Sequence, residues 1–423
     1  MMIFLVAAWL VTAVGAGAEE AKAPEDLPTE VITVYGHERE TIDREMRRMQ
    51  EKLEDELRKQ YGLAVKRDVP GRTVDIGEVS SQAGVLIVFS TPSDAPVYLD
   101  GSLVGSTPLT TSRVSVGPHL VTLKKKGYEV QQRLFLMRPL AEVALELTLD
   151  KHYSYRLAGR LGEGDLHYPT RVLGGDDGDA LVADGGHGRL RSISAKADVG
   201  EGWLYPKGMA RAPGGRLVYV ADPRRNAVLR LDSSTGLVDP FVEEGLDGPS
   251  DVAVSLEGNV WVVDSNNCRL LEYTPDGRFL REVGQRGTQE GAFLHPEAVA
   301  VDAEGMLYVA DWGNSRVQKL DSRGGFVGVM GGFGIGLEKM RFPEDVEVDG
   351  DGYVLVADSG NDRMLKFRPD GTFVAEIEPV GVDGGLRSPC GLWAGGGDIL
   401  VVERHQHRIL RLESEWDREY LPD

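Results

Sequence analysis

Six prolines, Pro169, Pro206, Pro249, Pro296, Pro343 and Pro389, recur along the last two-thirds of the chain. The two residues after each differ from copy to copy: Thr170-Arg171, Lys207-Gly208, Ser250-Asp251, Glu297-Ala298, Glu344-Asp345 and Cys390-Gly391. The first two copies offer the cations Arg171 and Lys207. The next three offer the carboxylates Asp251, Glu297, Glu344 and Asp345. Gathered at one rim, such a set has a positive and a negative side, which would orient a zwitterionic peptide or another polar ligand. The alternative is a rim of solvated charges. Trp312 stands in a turn where the next copy has Ser359, so an aromatic is offered there as a contact residue; packing against a neighbouring loop is the alternative. His405 lies in the unusual turn Arg404-His405-Gln406-His407. These eight residues are the predicted ligand-binding set.

Catalytic chemistry finds less support, and no catalytic residue is predicted. Zinc needs about three converging protein ligands. The histidines of this region are His152, His167, His187, His295, His405 and His407, and only His167 and His295 precede prolines at similar places. No nucleophile elbow, P-loop or dinucleotide fingerprint is present. No cofactor is predicted, although the rim carboxylates could take a divalent cation.

These residues need a repeated scaffold to bring them together. A β-branched pair, an acid, a four-residue turn and an arginine recur, and the acids are Asp184, Asp222, Asp264, Asp311, Asp358 and Glu403. Five residues after each stand Arg189, Ala227, Arg269, Arg316, Arg363 and Arg408. Such a period marks supersecondary units that cannot bury their faces alone. Alternation at period two, broken at Gly and Asp, excludes helical repeats. Each unit has room for four short strands, which is one blade of a β-propeller. The strand Tyr153 to Ala158 has no blade in front of it, so it is expected to join the sixth blade and close the ring. Acid and arginine at the two ends of the inner hairpin read as architecture. The tail from Ser414 reads as an extra strand or a loose end.

The run Val309-Ala310-Asp311-Trp312-Gly313-Asn314-Ser315-Arg316-Val317-Gln318-Lys319 resembles an NHL repeat, and Val356 to Phe367 is equally close. The resemblance implies a six-bladed propeller over residues 151–423. It does not fix function, because one fold hosts many activities. Some propellers related to NHL proteins are metal-dependent lyases with zinc-binding histidines in the channel. Cys268 and Cys390 fall in opposite blades, beyond the roughly 7 Å reach of a bridge, so two free thiols are expected.

Upstream, residues 84–150 hold several short alternating strands and the hairpin dipeptide Asp100-Gly101, which argues for a small β-sandwich. Val97-Tyr98-Leu99-Asp100-Gly101, Gly105-Ser106-Thr107-Pro108, Gly117-Pro118-His119 and Lys126-Gly127-Tyr128 resemble a PEGA domain. That resemblance implies an extracytoplasmic accessory domain of bacterial surface proteins without catalytic chemistry. His119 reads as a surface turn residue.

Residues 1–18 are almost wholly apolar and end in Ala16-Gly17-Ala18, as a cleavable signal peptide would; an uncleaved anchor is the alternative. Residues 19–83 read as linker around a charged helix over 38–61. Its apolar stripe suits a stalk or a helix docked on its neighbour, with a short coiled-coil dimer as the sharper alternative. The net charge of −20 argues against nucleic-acid binding. The chain is therefore expected to be all-β, apart from that helix. It is expected to be exported to the periplasm, cell surface or medium, with no transmembrane helix in its mature form. It would engage a protein or peptide partner through one propeller face. A metal-dependent lyase or lactonase working in the channel is the alternative.

Overall fold

The computed structural model describes residues 31–34, 39–61, 83–175, 179–418 and 420; the leader-like segment expected over residues 1–18 lies outside them. The described residues are all-β apart from helix α1 (Arg39–Tyr61) and three single-turn 3₁₀ helices. No helix among the described residues is long and apolar enough to cross a membrane.

The small domain is two packed sheets. One orders its strands Val31–Val34, Gln131–Met137, Gly117–Leu123, Pro96–Leu99 and Ser102–Ser106. The other orders Leu109–Val114, Gly84–Thr91 and Glu142–Thr148, with the last two parallel. Leu86, Val88, Val97, Val121, Leu123, Phe135 and Met137 are fully buried between them. Asp100 and Gly101 both take positive φ in the two-residue loop between Leu99 and Ser102, as a type I′ hairpin demands. His119 is buried in a strand rather than exposed beside a turn. Its Nδ1 meets Asp100 Oδ2 at 2.6 Å and its Nε2 faces the Ser115 carbonyl at 2.7 Å.

The stretch read as linker contributes to this domain. Val31–Val34 pairs antiparallel with Gln132–Phe135 at the sheet edge. Helix α1 docks on the same sheet, where Met49 and Leu53 bury against Leu134 and Leu136. Its stripe therefore faces its own chain, not a coiled-coil partner.

Residues 153–418 form six sheets. The first five each order four strands antiparallel and in sequence. Their innermost strands are Pro169–Gly174, Met209–Arg211, Pro249–Val254, Pro296–Val301 and Asp345–Val348, and that of the sixth sheet is Pro389–Gly395. Each innermost strand packs on the next, and the sixth packs on the first. The fourth place in the sixth sheet is filled from upstream. Tyr153–Leu161 pairs antiparallel with Arg408–Trp416, from Trp416↔Tyr153 to Ile409↔Leu161 with one bulge at Ala158. The tail is thus no loose end: Ser414–Trp416 completes this ladder, and Trp416 Nε1 donates to the Gly127 carbonyl at 2.8 Å.

Candidate functional site

The repeated acid ties each sheet to the loop before it. Asp184, Asp264, Asp311 and Asp358 receive the Nε of Arg189, Arg269, Arg316 and Arg363 at 2.8 Å, and Glu403 receives that of Arg408 at 2.7 Å. The other carboxylate oxygen accepts a backbone N–H from the preceding loop: His167, Asp247, Leu294, Arg341 and Arg387 donate at 2.6–2.7 Å. All six acids are fully buried. In the second copy, where Ala227 replaces the arginine, Asp222 accepts from Leu204 N and Arg225 stands at 4.0 Å. Buried charge is tolerable only when paired and hydrogen-bonded in this way. The acids are architecture.

The proline of four copies lies opposite the acid, and the register slips at the next residue, as between Pro169 and Arg171, Pro249 and Asp251, Pro296 and Ala298, and Pro389 and Gly391. Such bulges re-aim side chains at a sheet's end. Here they let residues of alternate sheets meet across the centre. Arg171 Nη2 lies 2.6 Å from Asp251 Oδ2, and its Nη1 pairs with Asp345 Oδ2. Asp251 Oδ2 also accepts from Val299 N at 3.0 Å, and Asp345 Oδ2 from Leu392 N at 2.5 Å. One guanidinium from the first sheet thus joins the third and fifth, and their carboxylates reach the fourth and sixth.

The other predicted rim charges are paired as well, one with a second rim residue and one with Arg404 of the sixth sheet's turn. Lys207 Nζ meets Glu297 Oε2, and Arg404 Nη2 meets Glu344 Oε2 at 2.6 Å. The structure therefore brings Arg171, Lys207, Asp251, Glu297, Glu344 and Asp345 together, but as three internal ion-pair sets. The open positive and negative sides expected of the rim are spent on one another. Trp312 packs on Phe342, with ring centroids 4.8 Å apart. His405 is exposed and stands perpendicular to the Tyr168 ring, with centroids 5.9 Å apart.

Below Arg171 the centre opens into a cavity of about 230 Å³. Valines, Leu173, Met209, Leu392 and Trp393 form its walls, and Arg171, Arg211, Asp251 and Glu347 supply its charges. Burial pushes the Glu347 carboxyl up to about 8, with Asp251 nearby adding to the rise and Arg171 opposing it. Sequence reasoning missed Glu347, although a signal was present: it stands four residues after its proline, where the other copies carry Leu173, Ala210, Ala253, Ala300 and Trp393.

Could the channel hold a divalent cation? Asp251 and Asp345 both lean on Arg171, and among the described residues no three His, Cys, Asp or Glu side chains converge as a metal would require. The histidines gather elsewhere. His167 stacks on His407 with centroids 5.1 Å apart, and His187 is 5.3 Å from His167, at the seam of the first and sixth sheets. His187 Nδ1 rests on Asp184, and His407 Nδ1 accepts the Tyr168 N–H. Cys268 and Cys390 are both buried and free, and burial raises the Cys390 thiol to about 11.

Comparison with known proteins agrees with this architecture. Residues 83–152 match the PEGA domain, and residues 246–273 and 293–320 match the NHL repeat. No curated protein matches the chain. Among solved structures, a protein of unknown function from Bacteroides thetaiotaomicron is similar at 13% identity, over 76% of this chain and 91% of its own, with a TM-score of 0.52. Virginiamycin B lyase from Staphylococcus aureus is 14% identical over 70% of this chain and 91% of its own, with a TM-score of 0.45. A gluconolactonase from Xanthomonas campestris is 16% identical over 62% of this chain and 95% of its own, with a TM-score of 0.48.

Proposed function

We propose that this chain, a PEGA domain joined to NHL repeats, is an exported, non-catalytic binding protein. In this reading the six sheets are blades of one closed propeller, and a protein or peptide partner docks on the face where the prolines lie. One observation carries the proposal. The loop from the fourth sheet to the fifth holds Phe333 and Ile335 70% and 77% exposed, and the same loop carries Phe342, which packs on Trp312. A monomer gains nothing from presenting such groups to water, whereas a partner interface gains its anchors. The rim ion pairs supply the polar border.

The test is capture from the native envelope by the wild type and by Phe333→Ser/Ile335→Ser. Loss of one specific partner with an unchanged melting temperature supports the reading, and equal capture by both chains removes this face from consideration. Asp345→Ala would be the wrong probe, because Asp345 is fully buried and its loss would report on folding.

A second reading, lyase or lactonase chemistry in the channel, rests on Glu347. A carboxyl raised to about 8 beside a cavity suits a general acid or base. Stoichiometric metal in the purified protein, with melting shifted by chelation, would favour that reading over the first.

A further inference from the structure

We propose that the cavity among the innermost strands is a binding site for a small organic cation, an ammonium group carried on a compact hydrocarbon body. The site stands apart from the partner face proposed above, and it needs no catalysis at Glu347.

The cavity is closed at one end and largely apolar along its length. Arg171, Asp251 and Asp345, all buried, lie across the end where the prolines are. At the other ends of these strands Arg211, Val254, Val301 and Val348 are only half-buried, which leaves a way in. An apolar cavity of about 150 Å³ holds a benzene molecule, so one of about 230 Å³ has room for roughly nine heavy atoms.

Charge decides the kind of guest. Two cations, Arg171 and Arg211, stand against three carboxylates, Asp251, Asp345 and Glu347. Arg171 is divided between the two aspartates, and Arg211 turns one Nη to the Gly215 carbonyl of its own hairpin at 3.2 Å. Glu347 closes no hydrogen bond and no ion pair among the described residues, and Asp251 Oδ1 is buried without a hydrogen-bond partner there. The lining residues of the fourth and sixth sheets bring no charge. Asp349, just past the end of the strand that carries Glu347, is held by Lys366 at 3.3 Å.

The set is therefore one positive charge short once Glu347 ionises. Left to itself it balances by keeping a proton on Glu347, whose carboxyl burial raises to about 8. A monocation supplies the missing charge in the proton's place and brings N–H donors to acceptors that lack them. An anion would add to the negative excess, and a neutral guest would leave the proton where it is. Exchanging the proton for the guest ties affinity to pH. Binding needs Glu347 ionised, so affinity rises towards about pH 8 and levels off above it, a gain of about fiftyfold between pH 6 and pH 8.

Calorimetry of the full chain with cyclohexylmethylamine tests this, against cyclohexylmethanol, which has the same number of heavy atoms and no charge. The amine should bind once per chain, about fiftyfold tighter at pH 8 than at pH 6. Titrations at pH 7 in buffers of different ionisation enthalpy should show nearly one proton released. The alcohol should bind weakly and alike at both pH values. Glu347→Gln, with its circular dichroism unchanged, should bring amine binding at pH 8 down to the level of the alcohol. The proposal is overturned if the amine does not bind at pH 8, if the alcohol binds as tightly, or if amine binding ignores pH and releases no proton. A folded Glu347→Gln chain that binds the amine like wild type overturns it equally. Should that variant not fold, the proton count on the wild-type chain decides.

Discussion

Arg171, Asp251 and Asp345 show how much residue type says and how little it says about partners. The chain order placed charges of opposite sign just after successive prolines. That they would gather at one end of the sheets was readable from the repeat. Their mutual pairing was not, because it depends on which sheets face each other across the centre. Fully desolvated charges are stable only as a complete set, so this triad costs more to break than it contributes when whole. Glu347 is the member left over. Its carboxyl, raised from the ordinary 4.5 to about 8, is favoured in the protonated form by the folded protein. Stability from this group is therefore fully present below about pH 4.5 and is lost as pH rises through about 8. The upper limit of that loss, at 1.36 kcal/mol per unit, is about 5 kcal/mol, and partial exposure to water lowers it. Glu347→Gln should flatten the profile and make the protein more stable than wild type at pH 9, as urea titrations at pH 5, 7 and 9 would show. Parallel profiles for the two chains would place Glu347 in water.

At the scale of elements, the repeat was legible because every sheet has a proline to open it and an acid to bury, and all but the second have an arginine to hold the acid. The N-terminal elements were harder to read. Val31–Val34 reads as linker and α1 as a stalk or a docked helix; which surface receives them shows only when the sheet edge and the Leu134–Leu136 surface exist. Docking that depends on a distant partner leaves only an unassigned apolar stripe in the sequence. The Tyr153–Leu161 strand was readable from the opposite signal, an extra strand without a sheet of its own. Its ladder to Arg408–Trp416 joins the start of the repeat region to its end, so weakening it should loosen all six sheets and not one. Leu157 sits in that ladder opposite Leu412. Leu157→Pro removes a backbone donor from a strand flanked on both sides, at about 1–3 kcal/mol for a group left unpaired. The expected result is a single melting transition shifted downward, with faster hydrogen exchange in both the first and sixth sheets. Exchange confined to residues 153–161 would show that the strand is an ornament.

For the molecule as a whole, the decisive contact is between the small domain and the fifth sheet, and nothing in the sequence announced it. Asp150 ends the small domain and is almost completely buried. Arg368 grips it with two bonds, Nε to Oδ1 at 2.9 Å and Nη2 to Oδ2 at 2.7 Å, while Tyr353 Oη donates to Oδ1 at 3.0 Å. Lys366 is buried alongside, 3.3 Å from Asp349 and over the rings of Tyr353 and Tyr153 at 4.0 and 4.6 Å. On the other flank, Glu129 holds His152, whose ring stacks on Tyr420 at 3.6 Å. A bidentate arginine in a dry contact fixes direction as well as distance, so the two domains meet at one angle. Removing Arg368 leaves Asp150 charged and buried without its cation, held only by the neutral donors Tyr353 and Gln131, which costs up to roughly 3–5 kcal/mol. That cost falls on the contact and not on either core. Arg368→Ala should therefore split the calorimetric melt into two transitions, and Asp150→Asn/Arg368→Ala should recover part of the loss because no orphan charge remains. A single transition in Arg368→Ala would mean that the wider surface, through Trp416 and Gly127, already couples the domains without the ion pair. If the two domains do melt apart, the ion pair at Asp150 and Arg368, and not the chain connection at residues 151–152, is what fixes the direction in which the six sheets are held on the small domain.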